Sequence, residues 1–219
     1  MAIVGNWNFN NDANDSVGAK HFTGYGAQLA HKPLNGWNGC YYFNRNDGTS
    51  YLQQNARIIN TTSYSIIVWV KFTWLKTATV GYGNWIVNQR NNPAAGDYQL
   101  YASCPVIGSS SIGFNFADTG GIYNAVILLN STPVLNKWYQ LGISLKHSDI
   151  LKGYLNGVKV AELDVTGKTA RLTSTTTTIG RAGWGGQDFE GNIDELKVYN
   201  NPLSDADFKN NYLYYKGFF

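Results

Sequence analysis

Tyr64-Ser65-Ile66-Ile67-Val68-Trp69-Val70-Lys71-Phe72 is built almost wholly from β-branched and aromatic residues, with Ile66, Val68, Val70 and Phe72 at one parity. Such side chains fit a pleated, half-buried surface, and successive side chains along a strand point to opposite faces. The stretch predicts a central strand, and the same period recurs on both sides of it. Toward the N-terminus, Ile3, Gly5, Trp7 and Phe9 share a face and run into the polar loop Asn10 to Ser16. Gly39 to Phe43 and Ser50-Tyr51-Leu52 then flank the turn Asn46-Asp47-Gly48.

Toward the C-terminus, strands are predicted at Trp85 to Gln89, Asp97 to Ser103, Ile112 to Phe116, Ile122 to Leu129 and Lys137 to Lys146. A hairpin at Leu151 to Val160 turns on Asn156-Gly157, and strands at Thr175 to Ile179 and Phe189 to Tyr199 complete the set. Asn-Gly supplies the positive φ angles of a two-residue hairpin turn. In the last strand Ile193 has one parity and Leu196 and Val198 the other, which predicts a bulge at Asp194-Glu195. The only helical pattern opens at Ser204-Asp205-Ala206-Asp207, where Ser204 can cap and the two aspartates meet the positive end of the helix dipole.

Composition supports one β domain over residues 1–219. Charged residues are 14% of the chain, against roughly 25% in ordinary domains, and aromatics are 15%. A coiled coil or a disordered chain would show the reverse balance. The 24 glycines and 25 asparagines supply the tight turns that many short strands need. The net charge of +3 is spread without a basic stripe, so no nucleic-acid partner is expected, and no apolar run is long enough for a membrane span. Cys40 and Cys104 lack the spacing of a zinc module and are read as buried thiols or a single bridge. Met1 leads straight into a strand pattern with no visible signal peptide.

The order of these pieces resembles the laminin-G-like, concanavalin-A-like jelly-roll family. The matching residues are Trp7-Asn8-Phe9 with Asp15-Ser16, the stretch Tyr64 to Lys71, Trp138-Tyr139, Gly153 to Gly157, Ile179-Gly180-Arg181, and Phe189 to Asn200 followed by Pro202-Leu203-Ser204-Asp205. The resemblance implies an all-β, two-sheet antiparallel jelly-roll sandwich with first and last strands adjacent and one short C-terminal helix. The fold hosts lectins, adhesion modules and glycan hydrolases alike, so function must be argued from a site.

Hydrolases of this fold need paired carboxylates facing one cleft. The spacing of Glu190, Asp194 and Glu195 does not match the Glu-x-Asp-x-x-Glu strand motif, so no enzymatic activity is expected. The resemblance also implies a structural calcium ion, with Asp15 and Asp194 at the matching places. The competing reading is that Asp15 caps a turn and Asp194 bonds backbone amides at the bulge. Sugar recognition sets an exposed aromatic ring against a pyranose, flanked by groups that read hydroxyls. Trp7, Trp69 and Trp138 are assigned to the core. Loop aromatics surrounded by glycine, among them Trp37, Tyr82, Trp85 and Trp184, are the candidates for presentation. The expected ligand site is Trp184 with Asp188, supported by Tyr82, Asn84 and Arg90.

Two functions follow. One is a non-enzymatic, lectin-like module for a glycan or cell-surface polysaccharide. The alternative is a structural virion or surface-assembly protein, such as a bacteriophage decoration, fibre or receptor-binding protein. The aromatic end Tyr212 to Phe219 would then serve a homo-oligomer or other virion proteins. Either implies an extracellular or virion-surface location.

Overall fold

The computed structural model describes residues 2–31, 39–44, 49–75, 84–89, 97–103, 111–182 and 188–219. Their strands, in chain order, are β1 (Ile3–Trp7), β2 (Thr23–Tyr25), β3 (Gln28–His31), β4 (Gly39–Phe43), β5 (Tyr51–Gln54), β6 (Tyr64–Phe72), β7 (Trp85–Gln89), β8 (Tyr98–Ser103), β9 (Ser111–Ala117), β10 (Tyr123–Leu129), β11 (Trp138–Lys146), β12 (Ile150–Leu155), β13 (Val158–Asp164), β14 (Thr177–Ile179) and β15 (Gly191–Tyr199). They form two antiparallel sheets. One has eight strands in the order β13-β12-β11-β6-β15-β4-β3, with β1 also paired to β15; the other has seven, in the order β10-β9-β8-β7-β14-β5-β2. The first and last strands are adjacent, and the architecture is the expected jelly-roll sandwich.

The core lies between the sheets and follows the predicted parity. Ile66, Val68, Val70 and Phe72 of β6 point inward with Leu141 and Ile143 of β11, facing Leu52, Val87, Leu100, Phe114, Phe116 and Ile179 from the opposite sheet. The predicted bulge is present: the β15–β6 register shifts between Asp194 and Lys197, and Glu195 has a φ of 49°. That extra residue keeps Ile193, Leu196 and Val198 all inward. It also marks where the other edge of β15 changes partner, from β4 along residues 191–193 to β1 along residues 196–199.

The outer face of the eight-stranded sheet corrects two expectations. Trp69 and Trp138 are not in the inter-sheet core. Trp69 has the parity opposite to Val68 and Val70 and stacks outward on Tyr212 and Phe219, with ring centroids 5.7 and 4.2 Å away. Trp138 meets Phe219 on the same face at 4.8 Å. Of the aromatic C-terminus, Tyr212 and Phe219 therefore pack on the chain's own sandwich. They are carried there by α1 (Asp205–Tyr215), whose Ser204 and Asp207 form a reciprocal capping box. Phe208 stacks on Tyr154 at 3.8 Å and lies over Gly142, where a Cβ would fall 2.6 Å from its ring. Leu213, Tyr214 and Phe218 remain exposed.

Short edge strands β2 and β3 carry no alternation that the sequence could reveal. Cys40 is buried, its sulfur accepting a hydrogen bond from Asn192 Nδ2 at 3.3 Å; Cys104 lies outside the described residues.

Candidate functional site

Because the inward side chains of the seven-stranded sheet fill the core, their neighbours along each strand face outward. The strand register aligns them in one row: Thr23, Gln53, Thr178, Asn88, Gln99, Asn115 and Ala125, one from each strand. Six inter-strand steps of about 4.8 Å make the row about 29 Å long. Six of its seven members are amides or hydroxyls, and it includes no charged residue. Asn88 Nδ2 donates to Thr178 Oγ1 at 2.5 Å and to the carbonyl of Arg181 at 2.7 Å. Asn88 and Gln99 are 0% and 3% exposed, whereas Thr23 and Ala125 at the two ends are open to solvent. Asn88 Oδ1, Gln99 Nε2 and Asn115 Oδ1 are buried without a hydrogen-bond partner among the described residues. Each such group costs about 1–3 kcal/mol of desolvation until something bonds it.

An aromatic row runs alongside. Tyr25 and Tyr51 are cross-strand partners and stack at 4.6 Å with planes 8° apart. The Arg181 guanidinium lies 4.7 Å from the Tyr51 ring centroid, and its Nε is 3.6 Å from Asp188 Oδ1. Asp188, Arg181, Tyr51 and Tyr25 thus form a chain of contacts ending in a ring that is 41% exposed. Further along, Trp85 and Tyr101 are cross-strand partners with centroids 5.4 Å apart. Tyr101 occupies the space above Gly113, where a Cβ would come within 3.1 Å of its ring and hydroxyl.

Of the five predicted ligand residues, Trp184, Tyr82 and Arg90 lie outside the described residues. Asp188 joins the Arg181–Tyr51–Tyr25 chain. Asn84 directly precedes β7 in the left-handed region, at a φ of 49°, and its carbonyl accepts from Ala102 N. Its side chain is buried instead of presented at a loop tip, with both polar atoms lacking a hydrogen-bond partner among the described residues. Trp85, grouped with the loop aromatics by sequence, is the first residue of β7 and almost fully buried. Sequence reasoning missed Tyr25, Tyr51 and Arg181, as well as Asn88 and Gln99. The available signal was amides alternating with core residues, as in Leu52-Gln53 and Tyr98-Gln99-Leu100.

The carboxylates to which the resemblance assigns calcium are each held by backbone amides. Asp15 Oδ1 accepts from Asn6 N at 2.9 Å and Val17 N at 3.0 Å. Asp194 Oδ1 accepts from Glu195 N at 2.8 Å within the bulge. Asp15 Oδ2 is buried with no hydrogen-bond partner among the described residues, and a Cβ at Gly18 would fall 2.9 Å from it. An orphaned oxygen beside a glycine suits a cation. The Lys20 ammonium, whose pKa is lowered by burial and raised in part by Asp15, already places a positive charge nearby. No group of three His, Cys, Asp or Glu side chains suited to a metal occurs among the described residues. Nor is any helix among them long and apolar enough to cross a membrane.

The sequence model for the concanavalin A-like lectin/glucanases superfamily matches residues 46–208. No curated protein matches the chain. Among solved structures, domain 4 of AbnA, a GH43 extracellular arabinanase from Geobacillus stearothermophilus in complex with arabinotriose, is 18% identical. It superposes with a TM-score of 0.71 over 95% of this chain and 97% of that domain. The botulinum neurotoxin serotype G binding domain gives 0.74 at 12% identity, over 97% of this chain and 51% of that one. The serotype D ligand binding domain, in complex with N-acetylneuraminic acid, gives 0.72 at 15% identity, over 96% and 50%. The chain spans about half the length of these toxin domains. At such identities the likeness shows the fold.

Proposed function

The chain belongs to the concanavalin A-like lectin/glucanases superfamily, and from that membership we propose that it is a non-enzymatic carbohydrate-recognition module acting outside the cell, with its ligand on the outer face of the seven-stranded sheet. The observation that carries this reading is the strip of outward amides and hydroxyls beside the Tyr25–Tyr51–Arg181–Asp188 chain. Amides offer donors and acceptors together, as sugar hydroxyls require, and an exposed ring offers its face to the apolar side of a pyranose. The sugars in the arabinanase and serotype D complexes are consistent with a glycan ligand. Trp184, Tyr82 and Arg90 are proposed as further ligand residues on the strength of their sequence context.

A glycan array tests it. Tyr25→Ala and Trp184→Ala should each abolish retention while leaving the melting temperature within a few degrees of wild type. Lost stability with retained binding would refute the assignment. Calcium enters this reading as a structural ion at Asp15, a hard cation taking up its second carboxylate oxygen. Equal melting temperatures with chelator and with added calcium remove it.

The second reading, a surface-assembly or virion protein, is favoured by the exposure of Leu213, Tyr214 and Phe218 around the docked helix. A mass measurement in solution that shows an oligomer dissolved by Tyr214→Ser would support it; a monomer at all concentrations would not.

A further inference from the structure

We infer that two copies of this chain join along the side of the sandwich formed by β10 and β13, with β10 of each pairing antiparallel with β10 of the other about a twofold axis. β10 is the last strand of the seven-stranded sheet and β13 the last of the eight-stranded one. A groove between them is lined by residues 125–130 along the first and 160–163 of the second.

The ladder on the inner side of β10 fixes which of its backbone groups are open. Asp118 N donates to the carbonyl of Ile122 at 2.9 Å, and the register continues with Asn124 opposite Phe116 and Val126 opposite Phe114. Hydrogen-bonded pairs alternate along an antiparallel ladder, so Asn124 and Val126 bond β9, while Ala125 and Ile127 turn their N–H and C=O groups to the far side. No strand among the described residues pairs there. Natural edges are blunted by charge, proline or bulges. From Thr119 to Asn136 this chain has no charged residue, and β10 has no proline. Its bulge, between Ile127 and Leu129, comes only at the strand's end.

A second copy fits this edge because the edge matches itself. With the axis at Ala125, that small residue faces its own counterpart. Tyr123 and Ile127, each 42% exposed, then oppose Ile127 and Tyr123 of the second copy. Aromatic and β-branched residues are favourable cross-strand pairs. The charges on β13 match as well: Lys159 and Glu162 flank Val160 and Ala161 and lie 2.7 Å apart within one copy. An axis passing through Ala125 and this segment sets each Lys159 near Glu162 of the second copy. Contacts off the axis are thus made twice, as a closed twofold interface requires. The two seven-stranded sheets merge into one of fourteen strands, with the Tyr25 rings on its two outermost strands, about 60 Å apart. Such a dimer does not depend on what the face binds.

Sedimentation equilibrium of the full chain from about 1 to 100 μM tests it. One strand pair and its rim make a small interface, so a reversible dimer with a Kd of about 1–50 μM is expected. Ala125→Lys places like charges directly opposite on the axis and should weaken association by about tenfold or more, with the melting temperature of the monomer within a few degrees of wild type. Lys159→Glu should weaken it severalfold, and adding Glu162→Lys should restore it, since the exposed pair within one copy contributes little to folding. Amide exchange at Ala125 and Ile127 should slow as concentration rises, a readout that wild type alone supplies if a variant fails to fold. A monomer throughout this range overturns the inference, as does a dimer indifferent to Ala125→Lys or one dissolved by Tyr214→Ser instead. None of these outcomes bears on the glycan-binding reading.

Discussion

The two outer faces of the sandwich are built by the same alternation and end in opposite states. On the eight-stranded sheet the outward residues include large rings, a charged pair and polar side chains such as Gln140 and Ser144 that bond Asn211 and the carbonyl of Leu203, and the chain's own C-terminus closes over them. Phe208 covers Tyr154, Tyr212 and Phe219 cover Trp69, and Lys197 Nζ is held between Glu195 Oε2 at 2.8 Å and Tyr215 Oη at 2.5 Å. On the seven-stranded sheet an uncharged row of four amides with two threonines and an alanine runs beside an aromatic row, and several of the amides have atoms that no described residue satisfies. A face covered by its own chain contributes to stability. A face that keeps buried polar atoms unsatisfied loses stability there, and a ligand able to bond them is the natural compensation.

The largest test of this contrast is Phe208→Ala. Removing a fully buried ring from between Tyr154 and Gly142 should cost about 3–5 kcal/mol, measured by denaturant unfolding. A loss under about 1 kcal/mol would show that the helix is a loose appendage and that the two faces differ less than their packing indicates. Next is Lys197→Met, which strands the buried Glu195 carboxylate; about 3 kcal/mol is expected, and Glu195→Gln in the same background should recover part of it.

Alkaline pH separates the faces without mutation. Tyr154, beneath the helix, and Tyr215, its last residue, have phenol pKa values raised chiefly by burial, with Asp205 adding to the first and Glu195 to the second. Below the ordinary tyrosine value of about 10 both phenols are neutral whether folded or unfolded, so their full contribution is present. Above it the unfolded chain ionises first, and stability falls as pH climbs toward the raised folded values. The helix should therefore loosen before the sheets do. Near-ultraviolet circular dichroism of Trp69 and Trp138 would show a step that far-ultraviolet strand signal does not share; coincident transitions would contradict this.

The inward half of the molecule was legible because burial imposes a period. The parity of β6, the Asn156-Gly157 turn with φ angles of 51° and 75°, the bulge at Glu195 and the Ser204 cap are local devices, each visible within a few residues. Trp69 was misplaced because alternation says that a side chain leaves the core and says nothing of what meets it outside. Its partners Tyr212 and Phe219 lie at the far end of the chain. Asp188 was named for its nearness to a loop tryptophan, whereas the contact the structure describes for it is with Arg181. Tyr25 and Tyr51, which bring it to the strip through Arg181, are joined only by the pairing of β2 with β5.

The smallest expected effect carries the most specific claim. Gln99 is 97% buried in the middle of the strip, and its amide nitrogen has no hydrogen-bond partner among the described residues. If the amide served the fold, Gln99→Leu should destabilise like other core changes. If it serves a ligand, the apolar replacement of similar volume removes an unpaid desolvation cost, and stability should stay level or rise by up to about 1 kcal/mol. The same variant should weaken retention of neutral oligosaccharides several-fold, because the donor that a hydroxyl would have met is gone. Opposite signs for stability and binding at one residue separate a binding face from a structural one; a loss of both at Gln99 would place the seven-stranded sheet's outer face in the same class as the one beneath α1.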